Sequence, residues 1–531
     1  MMKIQSILFA LFFSLCLAGC GGNSGGGGTT PTPVPSTAKE WTWVSGSSAN
    51  AGASAGNGLN QAGVYGTLGV AAGGNVPGGR VNSVGWTDKD GNLWLFGGNG
   101  VDSTGTSGYL NDLWEFNVST KEWAWINGSS TVGPAGNGQP GVYGTLGSPA
   151  AGNGPGGRSR ATSWTDAQGN LWLSGGYGEA GSAGNDGELN DIWEFSPSLG
   201  QWAWMGGSST IGANGGLPSI QGTLGVPAAG NIPGSRDSAT GWVDANGNLW
   251  LFGGNVWLFV NSTMNEPNGV TGDMDDLWEF NPSTKQWAWM GGGVPEMTCS
   301  SFGSPDSGYE YLCYSSGVYG TLGTPAAGNL PQGRTGAVSW TDGSGNLWLF
   351  GGYYSQFAEA LPFFPINLWM NDLWEFNPST KQWAWMGGSA PVQEPVVSGG
   401  PSGVYGTLGT PAATNTPGGR QFSASWTDSG GNFWLFGGSG SDSEGNQANF
   451  NDLWMFNPAT RNWVWESGSN TVGNVGVYGA LGVAAAANVP GSRYGSVGWT
   501  DGKGNLWLFG GYGTDSTGTQ GNLNDLWEYQ P

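Results

Sequence analysis

The sequence predicts an all-β fold: a six-bladed β-propeller of four-stranded blades, closed by the N-terminal strand completing the last blade. Three observations lead there. One stretch of chain is written six times, the sixth copy is unfinished, and its missing ending stands at the other end of the chain. The fullest copy runs from Arg80 through Trp86-Thr-Asp, Gly91-Asn-Leu-Trp-Leu-Phe-Gly-Gly98 and Asn111-Asp-Leu-Trp-Glu-Phe116 to Trp123-Ala-Trp125. The copies open at Arg80, Arg158, Arg236, Arg334, Arg420 and Arg493. The last stops at Asn524-Asp-Leu-Trp-Glu-Tyr529, and Trp41-Thr-Trp43 near the start supplies its ending. A linear array gives no reason for that displacement; a ring does.

Each copy reads as four short strands. The first follows the arginine. The second, Leu93-Trp-Leu-Phe96, is a continuous apolar run ended by Gly97-Gly98, as for a strand buried on both faces. The third is Asp112-Leu-Trp-Glu-Phe116. The fourth is Trp123-Ala-Trp125, whose indoles share a face by the two-residue period. Asp90-Gly91-Asn92 and Asn117-Val-Ser-Thr120 supply tight connections. Four-stranded units repeated radially make a propeller, and pairing the first strand with the last copy leaves no bare sheet edge between them. Of 32 tryptophans, five recur per copy once Trp41 and Trp43 are credited to the sixth. Only Trp257 and Trp369 are left over. A residue repeated at one position in every unit points to packing between units.

The order Pro-x-x-Arg, paired glycines after an apolar strand, Asn-Asp-Leu-Trp and a downstream tryptophan resembles the kelch repeat. Pro77-Gly-Gly-Arg80, Gly97-Gly98 and Asn111-Asp-Leu-Trp114 carry the likeness, which covers residues 39–531. A kelch unit has a period near 50 residues, whereas these arginines stand 78, 78, 98, 86 and 73 residues apart. The surplus lies between blades, in segments such as 128–157 containing Val142-Tyr-Gly-Thr-Leu-Gly147. That recurrent motif reads as an ordered structural loop.

Residues 1–19 read as a signal peptide: a basic start at Met1-Met-Lys3, then an apolar stretch from Ile4 to Leu17 that is short for a membrane span. It ends in Leu17-Ala-Gly-Cys20, which resembles a bacterial lipobox. The resemblance implies cleavage before Cys20, lipidation of its thiol, and membrane attachment through that lipid. Gly21, rather than aspartate, favours an outer-membrane lipoprotein, periplasmic or surface-exposed. Residues 20–38, rich in Gly, Ser, Thr and Pro, form a flexible tether. Cys16 falls in the removed segment. Cys299 and Cys313 remain, and in an oxidising compartment they are expected to form a disulfide.

Composition excludes whole classes of chemistry. The chain has no histidine and a net charge of −22. Ser-His-Asp and Cys-His catalysis and most zinc, copper and non-haem iron sites are ruled out. The copper site of galactose oxidase, a kelch-containing enzyme, needs histidines and cannot be built here. No cofactor and no metal is expected. A polyanion needs a basic face, so nucleic acid is not a partner. Asp102, Asp442 and Asp515 lie in Asp-Ser-x-Gly loops that lack the dense oxygen ligands of a calcium site. A sialidase Asp box fails by one residue at Asp342, Gly345 and Trp348.

The six repeat arginines have two readings: an anion-binding ring at one channel mouth, or pairs with the six Asn-Asp aspartates, which the matched numbers favour. Antiparallel strands place the two-three loops and the blade-to-blade loops on one face, the default location for function. Three aromatic insertions converge there. One holds Trp257 and Phe259, one Tyr309 and Tyr311 with the cysteines, and one Tyr353, Tyr354, Phe363, Phe364 and Trp369. They read as either a satellite core or a binding surface for protein or carbohydrate. Enzyme activity is less expected than binding. The rival reading is a histidine-free polysaccharide hydrolase or lyase, which needs a non-repeated carboxylate pair in a cleft with one raised pKa. Glu266, Asp273, Asp306, Glu310 and Glu359 are the candidates. A structural envelope component is the third reading.

Overall fold

In the computed structural model the described residues are 39–50, 61–182, 184, 186–212, 215–258, 270–293, 298–304, 308–314, 317–357, 365–390 and 399–531. Among them stand six four-stranded antiparallel sheets. The first comprises Val84–Thr87, Leu93–Phe96, Leu113–Asn117 and Glu122–Asn127. Trp41–Ser45 pairs antiparallel with Leu526–Tyr529, placing Trp43 opposite Trp527, so the N-terminal strand completes the last sheet. The arrangement is consistent with a β-propeller.

Neighbouring sheets are joined by indoles. Trp86 Nε1 donates to the Trp172 carbonyl in the next sheet (3.0 Å), and Trp164, Trp242, Trp340 and Trp426 repeat the bond onto Trp250, Trp348, Trp434 and Trp507. Trp499 returns it to Trp94 of the first sheet at 2.9 Å. The second strands are buried throughout, because each lies between two neighbouring sheets. Tryptophans of the fourth strands cross the same seams: Trp123 meets Phe509, Trp202 meets Phe96 and Trp41 meets Phe436. The repeated tryptophans are packing residues, as their periodicity implied.

Gly97 and Gly98 have φ of 64° and 95°. A Cβ on Gly97 would sit 2.8 Å from the Arg158 carbonyl of the next repeat. The paired glycines let consecutive repeats meet backbone to backbone, with Gly98 N–H donating to that carbonyl at 2.8 Å.

Each repeat arginine is buried against its aspartate. Arg80 Nη1 and Nη2 each donate at 2.7 Å to Asp112, whose Oδ2 also accepts the Tyr65 hydroxyl (2.6 Å) and Trp114 Nε1 (2.7 Å). Burial opposes the arginine charge, but Asp112 outweighs it and the Arg80 pKa ends above its ordinary value. The same ion pair recurs in all six repeats. The paired reading therefore describes these arginines; at 3% exposure or less they do not display a cationic ring at the mouth.

Tyr65 belongs to the recurrent Tyr-Gly-Thr-Leu-Gly loop, which is ordered as expected. Its segment bonds the outermost strand through Gly69 N–H to the Trp125 carbonyl and Asn75 Nδ2 to the Trp123 carbonyl. The bridge Ala72–Trp123 has counterparts in all six sheets. The loop thus covers an edge that would otherwise template aggregation.

The sequence reading missed a second sheet in five of the six repeats. After the paired glycines the two-three loop folds back as a hairpin and pairs with the arginine segment, as in Arg80–Val81, Asn99–Val101 and Ser107–Tyr109. Four of these sheets have three strands, and the third repeat's has five because the hairpin Thr298–Ser304 and Gly308–Tyr314 joins it. In the fourth repeat, Leu347–Phe357 and Pro365–Asn377 run through both levels.

The third repeat lacks the loop tyrosine. Gln221 stands there, its Nε2 buried without a partner, and Asp276 accepts from Arg236 and Trp278. Gln221→Tyr supplies the missing hydroxyl donor and is expected to raise unfolding free energy by about 1–2 kcal/mol in a denaturant titration.

Candidate functional site

Two residues past each repeat arginine stand Asn82, Arg160, Ser238, Gly336, Phe422 and Gly495. All six are left-handed, with φ from 53° to 64°. Each N–H donates to the carbonyl of the preceding member: Arg160 to Asn82, Ser238 to Arg160, Gly336 to Ser238, Phe422 to Gly336, Gly495 to Phe422, and Asn82 to Gly495, all within 2.8–3.0 Å. A closed backbone ring results. Left-handed backbone costs an L residue roughly 1–2 kcal/mol, and such strain concentrates at functional sites. Four of the six positions carry it in non-glycine residues. Phe422 leans over its predecessor, since a Cβ on Gly336 would sit 2.9 Å from the phenyl ring.

These residues line a cavity of about 150 Å³. A larger one, about 610 Å³, is lined by the first-strand triplet Gly85-Trp86-Thr87 and its five counterparts. The larger cavity is built almost wholly of repeated residues; the mouth is not. The smaller sheets surround the mouth and carry residues that differ from copy to copy. Tyr109 lies 5.8 Å from Tyr177, Tyr494 lies 5.8 Å from Tyr512 and 6.3 Å from Phe422, and the Arg160 guanidinium sits 5.7 Å over the Tyr177 ring.

Carboxylates gather on the same side. Arg160 Nη2 lies 3.2 Å from Asp237 Oδ2, and Ser238 Oγ donates to Asp237 Oδ1 at 2.7 Å. Glu188, directly opposite Tyr177 in its hairpin, lies against Asp237. Burial, then the Asp237 charge, pushes Glu188 well above the usual carboxylate range. Burial also raises Asp237, with Arg160 opposing. The Tyr177 hydroxyl is pushed up to about 12, by burial first and Asp186 second. Asp273, in the next repeat's small sheet, accepts from Asn255 Nδ2 and the Ser355 N–H, yet burial pushes it up to about 7.

Of the aromatic residues expected on the insertions, Tyr353 and Trp369 are half-buried and in ring contact at 5.8 Å. Tyr354, at 2% exposure, is a core residue and not a surface anchor. Trp257 lies in Asn255–Leu258, opposite Thr271, and Tyr309 and Tyr311 lie in Gly308–Tyr314, which pairs parallel with Val270–Asp273. The Ser355 N–H of repeat four donates to Asp273 Oδ2 of repeat three, so the insertion strands of these two repeats adjoin. Phe259, Phe363, Phe364 and Cys20 lie outside the described residues, as do Glu266, Asp306 and Glu359. Cys299 and Cys313 are direct cross-strand partners. Asp102 accepts from Thr104, Thr106 and Val132 within its own region. Among the described residues no group of three His, Cys, Asp or Glu is placed to hold a metal ion.

The sequence reading placed function on the insertions and overlooked Arg160, Tyr177, Glu188 and Asp237. One signal was available: the position two past the arginine is where otherwise repetitive copies disagree.

No protein-family profile matches the chain, and no curated protein matches it. Among solved structures it is similar to that of YjhT, at 15% identity and a TM-score of 0.43, over 87% of this chain and 95% of that one.

Asp273 links the mouth to pH. Its folded pKa, about 7, lies above its ordinary 3.8. Its contribution to stability is therefore fully present below pH 4 and lost as pH rises through 7. Asp273→Asn is expected to be more stable than the parent at pH 8, on the order of 2–4 kcal/mol, with the gap closing towards pH 4. Melting curves across that range check the sign.

Proposed function

We propose that this chain is a six-bladed propeller of the kelch type, exported and anchored through lipid on Cys20, that binds carbohydrate at the mouth around Arg160. The blade number is supported by the six four-stranded sheets and the indole bonds that return from Trp499 to Trp94. The kelch reading is supported by the distinct structural jobs of the arginine, the paired glycines and the Asn-Asp-Leu-Trp aspartate. A Cys299–Cys313 disulfide is supported by their cross-strand pairing, a separation that such a bond spans.

One observation carries the binding reading: at the mouth the residues two past each repeat arginine, and the short strands beside them, differ from copy to copy, while the four-stranded sheets repeat. Their chemistry suits a sugar. Tyr109 and Tyr177 offer apolar faces, and Asp237, Glu188 and Arg160 offer directed hydrogen bonds. The hydrolase reading gains from the same place, since Glu188 and Asp237 are a non-repeated carboxyl pair with raised pKa. Burial of both, below 6% exposure, favours holding a ligand over attacking one.

Titration of neutral and charged oligosaccharides tests the assignment. Tyr177→Ala and Arg160→Ala are each expected to weaken binding about tenfold, or 1.4 kcal/mol; the melting temperature changes little in Tyr177→Ala, whereas Arg160→Ala also lowers it by removing the cation beside buried Asp237. Binding that survives both variants, or a protein partner captured in place of any glycan, would overturn it.

A further inference from the structure

We infer that the mouth carries three aromatic stations, at Tyr177, Tyr353 and Tyr512, and that its ligand is a sugar chain long enough to lie on all three. The inference rests on the carbohydrate reading and extends it from one side of the mouth to the whole of it.

The evidence begins with the residue that follows the paired glycines. Around the ring it is Asn99, Tyr177, Asn255, Tyr353, Ser439 and Tyr512. Tyrosine alternates with a small polar residue, so the tyrosines stand in the second, fourth and sixth repeats. These three positions are equivalent in space as well as in sequence. Each tyrosine pairs with the residue just before its repeat's member of the mouth ring: Tyr177 with Ser159, Tyr353 with Thr335 and Tyr512 with Tyr494. The pairing residues do not alternate; they are Val81, Ser159, Asp237, Thr335, Gln421 and Tyr494. The pattern therefore belongs to one position and not to a doubled repeat.

Each tyrosine has a second aromatic ring beside it. Tyr109 lies against Tyr177, Trp369 against Tyr353 and Tyr494 against Tyr512, with centroids 5.8 Å apart in every case and planes inclined by 51°, 59° and 46°. The partners come from different places: the preceding repeat's hairpin, the same repeat's hairpin and the arginine segment. Three routes through the chain reach the same arrangement. All six rings are half-buried, whereas the tryptophans that bond the sheets together, such as Trp86, are 3% exposed. The mouth rings are therefore not seam packing. Phe422 extends the third station inwards, 6.3 Å from Tyr494.

A sugar ring has an apolar face of C–H bonds and a rim of hydroxyls. The aromatic rings receive the first, and the amide and hydroxyl groups of Asn99, Asn255 and Ser439 stand between the stations for the second. The cavity inside the backbone ring is about 150 Å³, below the roughly 300 Å³ of an ordinary ligand pocket. A chain therefore rests across the mouth and does not thread it. A single sugar stacks on one station and has no use for the other two. A protein partner gathers its aromatic anchors near the centre of its interface, whereas these rings are divided among alternate repeats.

Calorimetric titration of the full mature chain provides the test, with hexamers of glucose, N-acetylglucosamine and galacturonic acid against the matching disaccharides. The hexamer that binds is expected to do so at least about 100-fold more tightly than its disaccharide, because its contacts with successive stations are linked. Tyr353→Asn and Tyr512→Asn install the residue that the first and third repeats already hold at this position, so the fold accommodates them. Each should weaken the hexamer about tenfold and leave the disaccharide within about twofold, since two stations remain for it. Tyr512→Phe keeps the ring and should keep the hexamer affinity. A hexamer no tighter than its disaccharide would overturn the three-station assignment and leave the carbohydrate reading standing. So would a hexamer that ignores both asparagine variants while Tyr177→Ala still weakens it. Failure of all six sugars to bind would sink both.

Discussion

One buried carboxylate, written six times, sets the terms for this molecule. Asp112 has no exposure, yet it carries a full charge opposite Arg80 and accepts two further donors, from Tyr65 and Trp114. These four residues come from the outer loop, the entry to the first strand and the third strand. Local structure cannot satisfy such a group; only the assembled repeat can. Removing one partner from a buried pair costs about 3–5 kcal/mol, whereas an intact pair adds little by itself. The node therefore contributes specificity: it rejects registers in which the loop, the arginine and the Asn-Asp-Leu-Trp strand do not meet.

The rest follows from stacking such repeats side by side. Each second strand is hidden on both faces by its neighbours, so a sheet on its own would expose it. Closure through Trp41 and Trp43 removes the last bare seam, and the outer loops cover the remaining edge of every sheet. A scaffold fixed this firmly leaves sequence variation only where side chains do not serve the ring. The mouth is one such place. Its backbone is bonded into a closed hexagon of left-handed residues, so side chains as unlike as Asn82, Arg160 and Phe422 are tolerated at equivalent points.

Much of this was legible in the sequence, and the reasons are physical. Strands one to four follow from apolar runs and turn residues, closure from a displaced Trp-x-Trp, and the ion pairs from matched numbers of arginine and aspartate. Repetition averages over noise: a role read weakly at one position is read six times. The site was less legible for the same reason. Glu188 and Asp237 stand 49 residues apart in different repeats and meet only because the small sheets bring them together. Those sheets escaped notice because most of their strands are two to four residues long and many hold glycine, as in Ser107–Tyr109. The aromatic insertions drew attention by composition, yet Tyr354 proved to be core.

The most direct test of the account is the unfolding free energy of Asp452→Ala, measured against Tyr405→Phe in the same repeat. If the buried carboxylate organises the fold, the alanine variant loses about 3–5 kcal/mol by stranding Arg420, and the phenylalanine variant about 1 kcal/mol. An alanine variant within about 1 kcal/mol of the parent would contradict it.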